Sequence, residues 1–367
     1  MKPTTQTWTS AASDTAARGT TTRVRMLAAA AAVALGTSTI LPASAGDRGE
    51  EDPPSDRAVF VYDRGRFTAF ELPGDGPGEF VRTNDRGVIV GSFVDDDGSL
   101  SGFKRGPRGR VETFDAPDGD ATPLDINNRG WIVGNTCDTP SDCTFSIRGF
   151  LRDSRGRFTT IRKPGAVRTQ AYGVNDRGEV VGDYLLPDGS NHGFRWRNGR
   201  FTTINGPGGA DAALTGINDR GDVIGVYGLD PADPTSGLKG FLLRHGRYQT
   251  FAVPRVRHTL PLGINNRGQV AGYTATADDL ATGARGFLLA RGVRGPLTRI
   301  DVPGAATSGA TDLDDRGRIV GLFTRKPRST ALVEMLTGTR LGATGLRDAD
   351  ATGAPPRRSS RSSTDTP

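Results

Sequence analysis

The sequence predicts an all-β fold, a six-bladed β-propeller of four-stranded antiparallel blades, on three observations. First, an eight-residue motif, Asn-Asp/Asn-Arg-Gly followed by an exposed residue, two apolar residues and Gly, returns six times, at Asn84–Gly91, Asn127–Gly134, Asn175–Gly182, Asn218–Gly225, Asn265–Gly272 and Asp314–Gly321. The steps of 43, 48, 43, 47 and 49 residues are those of a solenoid, propeller or array. Second, each copy alternates with another hairpin that opens on Gly-Phe, at Phe103, Phe150, Phe194, Phe241 and Phe287. Third, 51 Gly and 23 Pro in 367 residues, with few helix-forming runs, favour short strands joined by tight turns.

The chain opens with Arg18, Arg23 and Arg25, an apolar stretch from Met26 to Leu41 and a small-x-small site at Ala43-Ser44-Ala45. Residues 1–45 therefore form a predicted secretion signal, too short and too broken by Gly36, Thr37 and Thr39 for a membrane span. No later segment is long and apolar enough to span, so a secreted or wall-associated protein is expected, with no membrane span after signal cleavage. Residues 46–57 are charged and Pro-rich, a flexible lead-in. The propeller follows over residues 58–325, and 326–367 is an Arg/Ser/Thr/Pro-rich tail expected to be largely disordered.

Each repeat supplies strands A and B around the Asn-Asp-Arg-Gly turn and strands C and D around a second turn, for which Asn198-Gly199 is a strong hairpin signal. Asn and Asp bond their own backbone, Gly returns the chain, and Arg86, Arg129, Arg177, Arg220, Arg267 and Arg316 need only be exposed. A Gly inside every B strand (Gly91, Gly134, Gly182, Gly225, Gly272, Gly321) weakens the strand, so its return implies a bulge or a close backbone approach. The chain begins with a C–D pair, Val59–Leu72, and ends with an A–B pair, Thr311–Phe323. Joining these would close the ring and hide both edges. Closure by a C-terminal strand pair beginning at Ala331–Leu336, or a seventh blade, is the alternative.

Gly216-Ile217-Asn218-Asp219-Arg220-Gly221, Gly240-Phe241-Leu242 and Phe201-Thr202-Thr203-Ile204 resemble the HAF-repeat family of bacterial extracellular proteins. The resemblance covers roughly residues 58–325 and departs at the edge copies, where Thr83 replaces Ile and Asp314 replaces Asn. It implies secretion and a propeller-like fold, and it transfers no catalytic residue.

The net charge of +6 is no nucleic-acid signature, because the basic residues are nearly all arginines scattered through turns among aspartates. Cys137 and Cys143, the only cysteines of an exported chain, are expected to form a disulfide. Asp95 and Asp97, in an Asp-Asp-Asp-Gly-Ser run, are a candidate calcium site, although the distal Glu of an EF-hand loop is missing; no other cofactor is expected. Varied B–C and D–A loops share one face of a propeller, and uniform turns share the other. The varied face is thus where a glycan, peptide or wall polymer would bind, with Arg168, Tyr172, His192 and His258 as candidate binding residues. No catalytic motif occurs, so the leading expectation is a monomeric, non-catalytic binding or scaffold protein. A propeller lyase or hydrolase using those four residues, and a structural cell-surface protein, are the alternatives.

Overall fold

The repeated turns form the hairpins expected of them. The computed structural model describes residues 57–70, 80–94, 100–117, 119–137, 147–228, 236–276, 283–290 and 292–325. The chain opens with β1 (Arg57–Asp63) and β2 (Arg66–Phe70), then makes a first sheet from β3 (Val81–Thr83), β4 (Ile89–Val94), β5 (Leu100–Arg105) and β6 (Val111–Phe114). The second uses β7 (Thr122–Ile126), β8 (Ile132–Thr136), β9 (Arg148–Arg152) and β10 (Phe158–Ile161). The third uses β11 (Arg168–Val174), β12 (Val180–Leu185), β13 (Asn191–Arg197) and β14 (Arg200–Ile204). Next come β15 (Ala212–Ile217), β16 (Val223–Tyr227), β17 (Lys239–Arg244) and β18 (Arg247–Phe251), then β19 (His258–Ile264), β20 (Val270–Ala275), β21 (Arg285–Leu289) and β22 (Leu297–Ile300). The chain's last strands are β23 (Thr307–Leu313) and β24 (Ile319–Thr324).

These strands make six four-stranded antiparallel sheets, and the sixth has the order β2-β1-β24-β23. Its inner half comes from the C-terminal end of the repeat region and its outer half from the N-terminal end, with Val59 opposite Leu322 and Val61 opposite Val320. Closure by the N-terminal pair is therefore the observed one; the alternative segment 331–336 lies outside the described residues. The A strands β3, β7, β11, β15, β19 and β23 each neighbour the next around a closed circle, and they line the propeller axis.

The Gly of strand B explains itself and the Gly-Phe motif together. A Cβ on Gly182 would overlap the Gln170 carbonyl oxygen and the Phe194 ring, and the other five copies meet the same two neighbours, an A-strand carbonyl and a C-strand Phe. The six Phe rings are 2% exposed or less, so each fills the floor left by the missing side chain. Five A–B pairs also carry the expected bulge, as between Ala171 and Gly173 or between Pro123 and Asp125. The exception is β3–β4, whose register runs without a shift.

The expected disulfide lies only partly within the described residues: Cys137, buried just after β8, is disulfide-bonded, while Cys143 lies outside them. The ends of that connection are also held together by ladder pairing, Thr136 opposite Arg148. Among the described residues no helix is long and apolar enough to cross a membrane.

Closure by β1 and β2 has a measurable consequence. Val59 and Phe60 are wholly buried, and burial of each such side chain is worth about 1.5–3 kcal/mol. Deleting residues 57–70 would also bare the β24 edge. The shortened protein is expected to unfold or aggregate at temperatures where the parent is monomeric, measured by circular dichroism and size-exclusion chromatography.

Candidate functional site at the mouth of the axial channel

Each A–B turn is built by its leading residue, Asn in five copies and Asp314 in the last. Asn84 Oδ1 accepts the N–H groups of Arg86 and Val88, both at 3.1 Å, while Gly87 N–H donates to the Asn84 carbonyl at 2.9 Å. The side-chain amide left over reaches the next blade. Asn84 Nδ2 donates to Asn127 O (3.0 Å), Asn127 to Asn175 O (2.9 Å), Asn175 to Asn218 O (3.1 Å), Asn218 to Asn265 O (3.0 Å) and Asn265 to Asp314 O (2.9 Å). Asp314 has no amide to pass on, and its Oδ2 instead accepts Arg318 Nε at 2.6 Å. The chain of amides is therefore open at the seam between the last blade and the first.

The second turn residue closes what the first leaves open. The backbone N–H of each donates to the side-chain Oδ1 of its counterpart on the next blade: Asp85 to Asn128, Asn128 to Asp176, Asp176 to Asp219, Asp219 to Asn266, Asn266 to Asp315 and Asp315 back to Asp85, at 2.6–2.9 Å. Four carboxylates and two carboxamides thus form one continuous ring around the axis. The neighbouring turn arginines point outward and are exposed, as expected.

The ring rims a funnel open to solvent, whose wall is made by the last residues of all six A strands. Two residues before the turn, three consecutive blades carry Gly173, Gly216 and Gly263, while the other three carry Asp312, Arg82 and Asp125. Arg82 is 1% exposed. Its Nε donates to Leu124 O at 2.8 Å and its Nη1 to Thr311 O, the two carbonyls at the bulges of the flanking blades. Blade 1 lacks a bulge of its own, and Arg82 spans the gap. Its Nη2 is buried without a hydrogen-bond partner. Asp312 Oδ2 accepts Thr83 N–H at 2.9 Å and Asp125 Oδ2 accepts Val174 N–H at 2.7 Å, so each aspartate also ties its blade to the next. Burial pushes the Asp312 carboxyl up to about 7. Asp125 keeps part of its surface open to the funnel, and burial pushes it up to about 6. Beneath them Phe80, Leu124, Tyr172, Leu260 and Leu262 belong to one buried apolar cluster that floors the funnel.

The residues singled out from the sequence fall elsewhere. Arg168 and Tyr172 are buried together on β11, with Arg168 Nη2 3.7 Å from Asp183 Oδ2, and burial raises the Tyr172 hydroxyl well above its ordinary range. His258 is buried on β19, where its Nδ1 accepts Leu238 N–H at 3.2 Å. His192, half-buried on β13, is held between Asn205 Oδ1 (2.9 Å) and Ser190 Oγ (3.0 Å). Asp95 and Asp97 lie outside the described residues, and among those described no group of His, Cys, Asp and Glu is arranged to hold a metal ion. The signal for the funnel was present in the sequence, as charged residues at a position that is Gly in the other copies.

No protein-family model matches the chain, and no curated protein matches it either. Among solved structures it is similar to a putative TolB from Agrobacterium tumefaciens, at 11% identity and TM-score 0.55 over 74% of this chain and 99% of that one. TolB from Acinetobacter baumannii matches at 14% identity and TM-score 0.47, over 75% and 66% of the two chains. A streptogramin B lyase matches at 15% identity and TM-score 0.42, over 72% and 86%. At these identities the likeness is one of fold alone.

Two measurements probe this site. Asp219 can be replaced by Asn without losing the ring acceptor, since Asn128 and Asn266 already serve that way, whereas Ala leaves Asp176 N–H unpaired. Asp219→Ala is expected to lower the unfolding free energy by about 1–2 kcal/mol and Asp219→Asn to leave it nearly unchanged in guanidinium titrations. The second concerns pH. Carboxyls near 3.9 in the unfolded chain and raised when folded hold extra protons in the native state. Their contribution is therefore full below about pH 4 and falls as pH rises through the folded values of about 6 and 7. Asp312→Asn removes part of that decline, so its stability relative to the parent should rise by on the order of 2 kcal/mol between pH 5 and pH 8; parallel curves would contradict the assignment.

Proposed function

We propose that this is a secreted, non-catalytic propeller of HAF-repeat type that binds a ligand in the axial funnel, on the face of the uniform turns. One observation carries the reading: six turns far apart in sequence bring four carboxylates to one mouth, over a buried guanidinium with an unpaired N–H group. Each rim carboxylate already accepts a backbone N–H, which fixes its position. Fixed charges at the end of a rigid strand suit recognition, where little ordering is needed on binding. Glycans, peptides and wall polymers carrying cationic groups are the ligand classes that fit an anionic rim.

A second reading is favoured by Asp125 and Asp312, whose raised values bring them near neutrality inside a pocket, as general acid–base chemistry requires. Calorimetric titration of the mature protein against a panel of amines, peptides and amino sugars separates the two. Binding that weakens at least tenfold in Asp176→Asn/Asp219→Asn, with the compound recovered unchanged, supports the binding reading. Hits indifferent to that double variant would place the site outside the funnel, and turnover lost in Asp312→Asn would favour the enzyme.

A further inference from the structure

Resting on the funnel as the binding site, we infer that its occupant is a free dibasic α-amino acid of the lysine or arginine kind. The inference starts from the floor. Arg82 is buried, lines the funnel, and has one guanidinium nitrogen, Nη2, with no hydrogen-bond partner. A guanidinium edge is the group that best matches a carboxylate. An unpaired buried N–H is costly to leave so, which makes an incoming acceptor favourable there.

A lone anion would nevertheless be repelled, because Asp125 and Asp312 stand on either side of Arg82 in the same layer of the funnel. A carboxylate that carries an ammonium on the adjacent carbon satisfies both, the acid facing Arg82 and the ammonium facing the two aspartates. That arrangement of charges is an α-amino acid. Gly216 and Gly263 line the opposite wall, where they add no side chain of their own.

The rim supplies the rest. Asp85 lies three residues beyond Arg82, in the turn that follows β3, so the rim stands above the Arg82 layer. The four-carbon stem of lysine, or the guanidinium arm of arginine, carries a cation from that layer toward the rim. The far end then meets Asp176 and Asp219 on one side or Asp315 and Asp85 on the other. Asp176 Oδ1 holds its ring bond, and its charge is free of any cationic side chain in the described hydrogen bonds and ion pairs. An ammonium and a carboxylate on one carbon, with a second cation at the far end of the stem, match a wall of seven aspartates and a single guanidinium far better than a neutral or acidic amino acid does.

The test is calorimetry on the full mature chain with L-lysine, L-arginine and three analogues of lysine that each remove one group. Norleucine lacks the side-chain ammonium, cadaverine lacks the carboxylate, and Nα-acetyl-lysine lacks the α-ammonium. Lysine or arginine should bind, and each analogue should bind at least tenfold more weakly. Asp176→Asn, which keeps the ring acceptor, should weaken lysine at least threefold and leave norleucine unchanged. Cadaverine binding as tightly as lysine would remove Arg82 from the argument without any need for an Arg82 variant that folds. Equal binding by either other analogue would overturn the inference as well. If no amino acid binds but another cationic compound does, and Asp176→Asn/Asp219→Asn weakens it, the inference fails while the funnel stands as the site. A compound whose binding ignores both substitutions overturns the funnel itself.

Discussion

A backbone N–H donating to a carboxyl or carboxamide oxygen one blade away is the interaction on which the ring depends. Six such bonds run head to tail from Asp85 through Asn128, Asp176, Asp219 and Asn266 to Asp315 and back. Each blade is thus held to the next at the narrowest part of the molecule, where six strand ends converge and apolar packing has little area to work with. The bonds are charge-assisted at four of the six positions, which strengthens them and offsets the repulsion of carboxylates gathered around one axis. The leading amides add a second set of links, but Asp314 interrupts that set, so only the outer ring is continuous.

The seam beside Asp314 is also where the fold departs from its own repeat. Blade 1 has no bulge, and the carbonyls exposed at the bulges of the blades on either side would face each other across that gap. Arg82 takes both, placing a long cation where the other blades make a local backbone kink. A buried guanidinium needs counter-charge, and Asp125 and Asp312 stand beside it. The charged half of the funnel is in this sense the structural consequence of a ring assembled from nearly identical units and closed by one that is not.

Much of this was legible in the residues. Strand count, blade number, closure by Val59–Leu72 and the demand made by the B-strand Gly all followed from periodicity and turn chemistry, because those are local signals repeated six times. The ring was not, although its acceptors were in view: an Asp or Asn at the second turn position is fully explained by the turn alone, so nothing in the pattern asked for a partner 43 to 49 residues away. Arg82, Asp125 and Asp312 were missed for a related reason. Their equivalence to Gly173, Gly216 and Gly263 appears once the copies are aligned on the turn, but charges on a strand end read as solvent-facing until the sheets are closed around an axis. Arg168, Tyr172 and His258, singled out as candidate binding residues of the varied face, are buried on the A strands β11 and β19.

The order of residues around the rim has a geometric consequence. Read in sequence it is Asp, Asn, Asp, Asp, Asn, Asp, which maps onto itself after half a rotation. The mouth therefore presents a twofold field, two acidic arcs facing each other across two neutral ones, although the blades are sixfold. The floor below, with Asp-Arg-Asp on one half and glycines on the other, has no rotational symmetry at all. A long guest meeting the rim alone has two equivalent azimuths, worth RT ln 2, or about 0.4 kcal/mol, of orientational entropy. It surrenders that freedom only on reaching the floor, where a single azimuth remains.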